Sequence, residues 1–130
     1  MSEQPRVLLV DDNEAILDRA AAVLSRCCVV VGAVTDGPAT LAAAATLRPD
    51  VIVLDISMPG MSGLEVAAGL RVARSTAVIV FLTVHEDEEF VRAAKAAGGI
   101  GYVVKSRLAS DLPLAVSEAH AGRFFVSPIR

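Results

Sequence analysis

An α/β domain with a parallel sheet and helices on both faces is the architecture this chain predicts, and three observations predict it. Five short runs rich in β-branched and other apolar residues recur along the 130 residues. Five alanine-rich segments of helical length separate them, and glycine, proline or aspartate marks several of the joins. Repeated β-α units with right-handed crossovers build a parallel sheet between two helical layers, a doubly wound three-layer sandwich.

The first strand is read at Val7–Val10 and the second at Val29–Val34, with a helix over Asn13–Arg26 between them. Asp36-Gly37-Pro38 opens a second helix, Pro38–Leu47, whose Ala42–Ala45 run has high helix propensity and is expected against the sheet. Pro49-Asp50 precedes a third strand at Val51–Leu54, followed by a helix over Gly63–Arg74. The fourth strand spans Ala77–Leu82. In the helix expected at Glu86–Ala97, Phe90, Val91, Ala94 and Ala97 share one face while Glu88, Glu89, Arg92 and Lys95 face solvent. Negative side chains at its start complement the positive end of the helix dipole. Gly98-Gly99 permits a left-handed stop before the fifth strand, Tyr102–Val104, and a last helix is read at Ser110–Ala121. Because alternation with polar residues is weak, all five strands read as buried on both faces.

Composition narrows the function classes. The length fits one domain, and 54% hydrophobic with 21% charged residues is enough apolar material for a core and unlike a disordered segment. A formal net charge of −3 leaves no basic excess for nucleic-acid phosphates. With 4% aromatic residues and no Trp there is little material for stacking bases. Apolar runs are interrupted well before the roughly 20 residues that span a bilayer. Met1–Val10 is followed by Asp11, Asp12 and Glu14 too early for a signal peptide, so a cytoplasmic location with no membrane partner is expected. Cys27 and Cys28 lack the spacing of a zinc site or a disulfide framework and read as small apolar filler near a helix end.

The chemistry lies in the residues at the strand ends. The first strand ends in Asp11-Asp12, the third in Asp55, the fourth in Thr83 and the fifth in Lys105. Ligands of an open parallel sheet bind outside the carboxyl ends of its strands, so three carboxylates, a hydroxyl and an ammonium converge on one edge. Clustered carboxylates repel, and a raised pKa or a cation must relieve them. An oxygen-only donor set without His or Cys favours Mg²⁺, with Lys105 offsetting part of the remaining charge. The cluster suits phosphoryl transfer, with one carboxylate as nucleophile. Asp55 is the better nucleophile because it stands alone before Ser57-Met58-Pro59-Gly60, whereas Asp11 and Asp12 are suited to holding the cation. An Asp at a strand-to-helix junction is also an ordinary N-cap, and Asp12-Asn13 is placed to cap the first helix. That simpler account weakens when Asp11, Asp12, Asp55, Thr83 and Lys105 must all reach strand ends by chance.

These residues resemble the receiver domain of bacterial two-component response regulators. The resemblance rests on Val7-Leu8-Leu9-Val10-Asp11-Asp12-Asn13, Asp55-Ile56-Ser57-Met58-Pro59-Gly60-Met61-Ser62-Gly63-Leu64-Glu65, Leu82-Thr83 and Gly101-Tyr102-Val103-Val104-Lys105. It covers nearly the whole chain. It implies a flavodoxin-like (CheY-like) fold with a five-stranded parallel sheet in the order 2-1-3-4-5, which sets Asp12 beside Asp55. It further implies that Asp55 accepts phosphate from a sensor histidine kinase. Asp12, Asp55 and the Ser57 backbone carbonyl would ligate Mg²⁺ directly, with Asp11 supporting it through water. Thr83 and Lys105 would hold phosphoryl oxygens. Thr83 and Tyr102 would form a switch that alters the surface of the fourth helix, fifth strand and fifth helix, with homodimerisation as the expected consequence. Tyr102 also has a plain packing account, as an aromatic beside the last strand. Kinase contact is expected near Ala15, Ile16 and Ser106.

Val84 stands where the family usually has a smaller residue such as Ala, which bears on access to Asp55 and on rate. Ser57 and His85 hold positions that modulate acyl-phosphate hydrolysis in the family, although His85 is read here as a loop residue and not as a base. Gly122-Arg123-Phe124-Phe125-Val126-Ser127-Pro128 resembles the segment leading towards a helix-turn-helix domain in the NarL/FixJ, or LuxR-type, branch of transcriptional regulators. The expected organisation is a receiver over residues 1–122 and the start of a linker over 123–130, with DNA bound only through an output domain outside this chain. A stand-alone receiver is the alternative. A metal-dependent phosphohydrolase of the haloacid dehalogenase type would have a second Asp where Ser57 stands. A nucleotide-binding module would carry G-x-x-x-x-G-K-[ST] or G-x-G-x-x-G, and both are missing from the sequence.

Overall fold

The computed structural model describes residues 4–128. The chain runs β1 (Arg6–Val10), α1 (Glu14–Leu24), β2 (Val29–Val34), α2 (Gly37–Leu47), β3 (Val51–Asp55), α3 (Gly63–Val72), β4 (Val78–Thr83), α4 (Glu88–Ala96) and β5 (Gly101–Val104). A 3-10 turn at Lys105–Arg107, α5 (Leu108–His120) and β6 (Phe125–Val126) complete it. All strands are parallel, in the order β2-β1-β3-β4-β5-β6. The fold is therefore flavodoxin-like.

Side chains of consecutive strand residues point to opposite faces, and this splits the core in two. Val7, Leu9, Val51, Val53, Val80, Leu82 and Val103 pack against α1 and α5. Leu8, Val10, Ile52, Leu54, Phe81, Tyr102 and Val104 pack against α2, α3 and α4. Uninterrupted apolar runs are the sequence's record of strands with a hydrophobic layer on each side.

Two expectations need correction. The sheet has six strands, not five, because Phe125-Val126 adds to the free edge of β5, pairing Gly101 with Phe125 and Tyr102 with Val126. The edge of β5 offers unpaired backbone groups, and the returning chain satisfies them: Phe125 N–H donates to Ile100 C=O (3.1 Å) and Ser127 N–H to Tyr102 C=O (2.8 Å). Ile129 and Arg130, the end of the expected linker, lie outside the described residues. Nor is β2 buried on both faces. It is the opposite edge strand, mostly half-buried, with Val29 exposed.

Local chemistry sets the helix ends. Asn13, not Asp12, caps α1, its side chain accepting from the N–H groups of Ala15 and Ile16. Asp36 caps α2, with Pro38 in the first turn. Ala44 of the alanine run is buried, whereas Ala42 and Ala45 face solvent. After α4, Gly98 takes φ +97, the left-handed stop expected of Gly98-Gly99. The expected face of α4 is present, with Ala94 buried and Phe90, Val91 and Ala97 packed beside it. Cys28 is buried directly before β2, four residues beyond α1, its thiol pushed up to about 12 by burial and by neighbouring Cys27. No helix among the described residues is long and apolar enough to cross a membrane.

Candidate functional site

β1 and β3 are neighbours, and their carboxyl ends carry Asp11 and Asp55 to one edge of the sheet. Both residues are buried, at 1% and 2% exposure, while Asp12 is exposed. Carboxylate oxygens of Asp11, Asp12 and Asp55 lie within 4.8 Å of one another. Lys105, directly after β5, reaches across the edge with Nζ 2.8 Å from Asp11 Oδ2 and 3.4 Å from Asp55 Oδ2.

The other oxygens of the two buried carboxyls are held by the backbone. Asp11 Oδ1 accepts from Asn13 N–H at 2.9 Å, and Asp55 Oδ1 accepts from Ser57 N–H at 3.2 Å. Asp11 Oδ2 and Asp55 Oδ2 face the Lys105 ammonium, their only polar contact. Burial, reinforced by Asp11 and opposed by Lys105, pushes Asp55 up to about 6. Burial alone would lower Lys105, but hydrogen bonding and charge attraction to Asp11 and Asp55 outweigh it and raise its pKa.

A hard divalent cation fits this donor set. Three ionised carboxylates against one ammonium leave a formal charge of −2 in a space lined by oxygen, with two buried oxygens that meet no donor but that ammonium. Asp11, Asp12 and Asp55 are the side chains able to hold it.

The position of Asp55 depends on Gly63. The Gly63 N–H donates to Ile56 C=O at 2.7 Å, drawing the start of α3 onto the end of β3. A Cβ at position 63 would lie 2.1 Å from the Asp55 carbonyl oxygen and 2.8 Å from Ile56 Cα. Backbone cannot rotate away as a side chain can. Gly63→Ala is therefore expected to destabilise the fold by about 1–3 kcal/mol or more and to displace Asp55. Urea unfolding would show this as a lower midpoint at unchanged slope. Just before it, Ser62 and Glu65 form a reciprocal capping box, Ser62 N–H to Glu65 Oε1 at 3.0 Å and Glu65 N–H to Ser62 Oγ at 3.2 Å.

Beyond the carboxylates, the residues expected to take part are bound into one network. Thr83 is fully buried, and its Oγ1 accepts from His85 N–H at 3.2 Å. His85 Nε2 lies 2.8 Å from Ser57 Oγ, and its ring stacks on Phe90 at 3.8 Å. Tyr102 is turned inward at 2% exposure, and its hydroxyl donates to His85 C=O at 2.8 Å. Burial, with the Asp87 charge, pushes Tyr102 up to about 12, so it remains a hydrogen-bond donor across the ordinary pH range. Val84 is exposed. His85 is thus pinned at both backbone and ring, which fits the loop role expected of it.

Sequence reasoning missed two polar residues behind Lys105. Asp111 and Ser127 are buried, at 4% and 1% exposure, and bonded to each other. A charged residue between Leu108 and Leu112 was the available signal for Asp111. Its partner could not be read, because Ser127 comes from the segment expected to lead away from the domain.

A parallel sheet with an acid-and-lysine pocket at its carboxyl edge defines the receiver class of signalling domains. This chain belongs to the response regulator receiver domain family, whose profile matches residues 7–117, and is the receiver domain of a two-component response regulator. It is 35% identical over 127 residues to the nitrate/nitrite response regulator protein NarL of Escherichia coli K12, covering 96% of this chain and 59% of that protein. To the response regulator GacA of Pseudomonas viridiflava it is 32% identical, over 95% of this chain and 58% of that one. The chain thus spans a little over half the length of these relatives. Among solved structures, the signal receiver domain of the putative response regulator NarL from Mycobacterium tuberculosis superposes with a TM-score of 0.88 at 31% identity, covering 94% of this chain and all of that one. A LuxR-family two-component response regulator from Aurantimonas gives 0.92 at 30% identity, covering 97% and 91%.

Proposed function

We propose that Asp55 is the phosphoacceptor, and that its donor is the phosphorylated histidine of a sensor kinase. One observation carries the reading: the Asp55 carboxyl stands at the end of β3 in ion-pair contact with Lys105 and beside Asp11. An Asp55 oxygen attacks phosphorus, and the bond to the donor nitrogen breaks with its electron pair left on that nitrogen. Attack by water later releases phosphate and restores the carboxylate.

Asp12, Asp55 and the Ser57 carbonyl hold Mg²⁺ directly in this reading, and Asp11 supports it through water. Bound there, the cation supplies positive charge to the phosphoryl oxygens. Lys105 leaves its ion pair with Asp55 to meet one phosphoryl oxygen, and Thr83 offers its hydroxyl to another. Thr83 Oγ1 accepts the His85 amide while its hydroxyl hydrogen stays free to donate, so movement of Thr83 towards the phosphoryl group is felt at His85 and, through the His85 carbonyl, at Tyr102. The two residues form the switch, and the altered face is α4-β5-α5, controlling homodimerisation and output.

Residues 1–122 form the receiver in this reading, and 123–130 begin the path to a helix-turn-helix domain that binds DNA. The greater length of the relatives favours this over a stand-alone receiver. The kinase meets the surface around Ala15, Ile16 and Ser106, in the cytoplasm. Incubation with acetyl phosphate and Mg²⁺ tests the reading: the intact mass should rise by one phosphoryl group only when the cation is present. An unchanged mass under conditions that label another receiver overturns it.

A further inference from the structure

The buried carboxylate of Asp111 lies on the core-facing side of α5, between Leu108 and Leu112. Such a charge is tolerated only when its oxygens are bonded. Arg107 Nε donates to Asp111 Oδ2 at 2.8 Å, Ser110 Oγ to Oδ1 at 3.0 Å, and Ser127 Oγ to Oδ2 at 2.7 Å. Burial raises its pKa, but these bonds outweigh burial and hold it below the ordinary carboxylate range.

Ser127 uses its hydroxyl in both directions. While donating to Asp111, Oγ accepts the N–H of Val104 at 3.2 Å, and the Ser127 N–H donates to Tyr102 C=O at 2.8 Å. Val104 immediately precedes Lys105, and Arg107 closes the 3-10 turn that Lys105 opens. The backbone bearing Lys105 is therefore held by Ser127 at Val104, and the Arg107 side chain two residues further on is tied to Asp111. The other end of Lys105 lies on Asp11 and Asp55.

We propose that Ser127 and Asp111 are positioning residues for Lys105, and that they couple its ammonium to β6 and the chain leading out of it. The proposal rests on the reading that Lys105 meets the phosphoryl group on Asp55. Movement of Lys105 towards that group pulls on Val104–Arg107 and so on the Ser127 clasp. Coupling between sites is reciprocal, so a seated Ser127 also favours one placement of Lys105. Through Ser127, a segment that reads in sequence as the start of a linker takes part in the site's geometry.

The full chain would be labelled with acetyl phosphate and Mg²⁺ as parent, Ser127→Ala and Asp55→Asn, and the amide signals of Val104, Lys105 and Ser127 followed in the parent as beryllium fluoride is added. Ser127→Ala should label on the order of tenfold more slowly, the worth of one charge-assisted hydrogen bond. The parent's Ser127 amide should shift on beryllium fluoride addition, a readout that a purely structural clasp would not move and that stands even if the variant folds poorly. Labelling of Ser127→Ala at the parental rate, or a parental Ser127 amide that stays fixed while Lys105 shifts, overturns the proposal and leaves the Asp55 reading intact. A parent that does not label, or full labelling of Asp55→Asn, overturns that reading and the proposal with it.

Discussion

Asp55→Asn is expected to abolish labelling by acetyl phosphate and, at pH 7 without divalent cation, to make the domain harder to unfold. The first effect comes from removing the attacking oxygen. The second comes from the cost of charging Asp55 in the fold, where burial and Asp11 push its pKa from 3.8 to about 6. Between those values the folded state binds more protons than the unfolded one, so stability falls as pH rises. The contribution is fully present below the unfolded pKa and is lost as pH passes the folded one, leaving a penalty on the order of 3 kcal/mol at neutrality. Asparagine carries no charge to penalise, and because the upward shift is already net of the attraction to Lys105, a gain of up to about 3 kcal/mol is expected. Thermal melts in a chelator should place the variant several degrees above the parent at pH 7, with the gap closing near pH 4. A variant that melts below the parent at pH 7 would contradict this electrostatic account.

Lys105→Ala should have the opposite effect on stability. Its ammonium is the cation facing Asp11 Oδ2 and Asp55 Oδ2, both buried and without another polar contact. Removing one side of a buried ion pair typically costs about 3–5 kcal/mol, because the remaining charge is left uncompensated. Without divalent cation the variant should unfold at much lower urea, and more so at pH 7 than at pH 4.5, where Asp55, pushed up to about 6 even with Lys105 present, is largely protonated. Mg²⁺ should stabilise it by mass action, and labelling should fall sharply even when folding is restored. Unfolding at the parental urea concentration without cation would show that Lys105 does not compensate the two carboxylates.

The legible part of this structure was that governed by local pattern. Val7–Val10 and Val51–Leu54 announce buried strands because both faces are apolar, and the polar residue that ends each run falls at the working edge of the sheet. Asp36-Gly37-Pro38 and Gly98-Gly99 mark helix ends through backbone preference. What stayed hidden depended on distant partners. Val29–Val34 looks like a central strand, and only the order of the sheet makes it an edge. Phe125-Val126 is too short to declare itself, since its ladder exists only where β5 offers an unpaired edge. For the same reason Asp111 carried no sign of Ser127, and that Asn13 rather than Asp12 would cap α1 was settled by geometry that both residue types can supply. Gly63 fell within the resembling stretch, yet its role comes from the close approach of α3 to Asp55.

The order of the sheet also bears on how the pocket comes into being. β2-β1-β3 is complete once the chain has passed Asp55, so the two buried carboxyls can be set side by side by the N-terminal part of the fold. Their compensating ammonium comes after β5, two strands further across the sheet. Until that last portion docks, the acidic pair has water and dissolved cations around it but no ammonium of its own chain. A growing or refolding chain therefore gains electrostatic relief late, and the arrival of Lys105 helps draw the C-terminal strands onto a half already built.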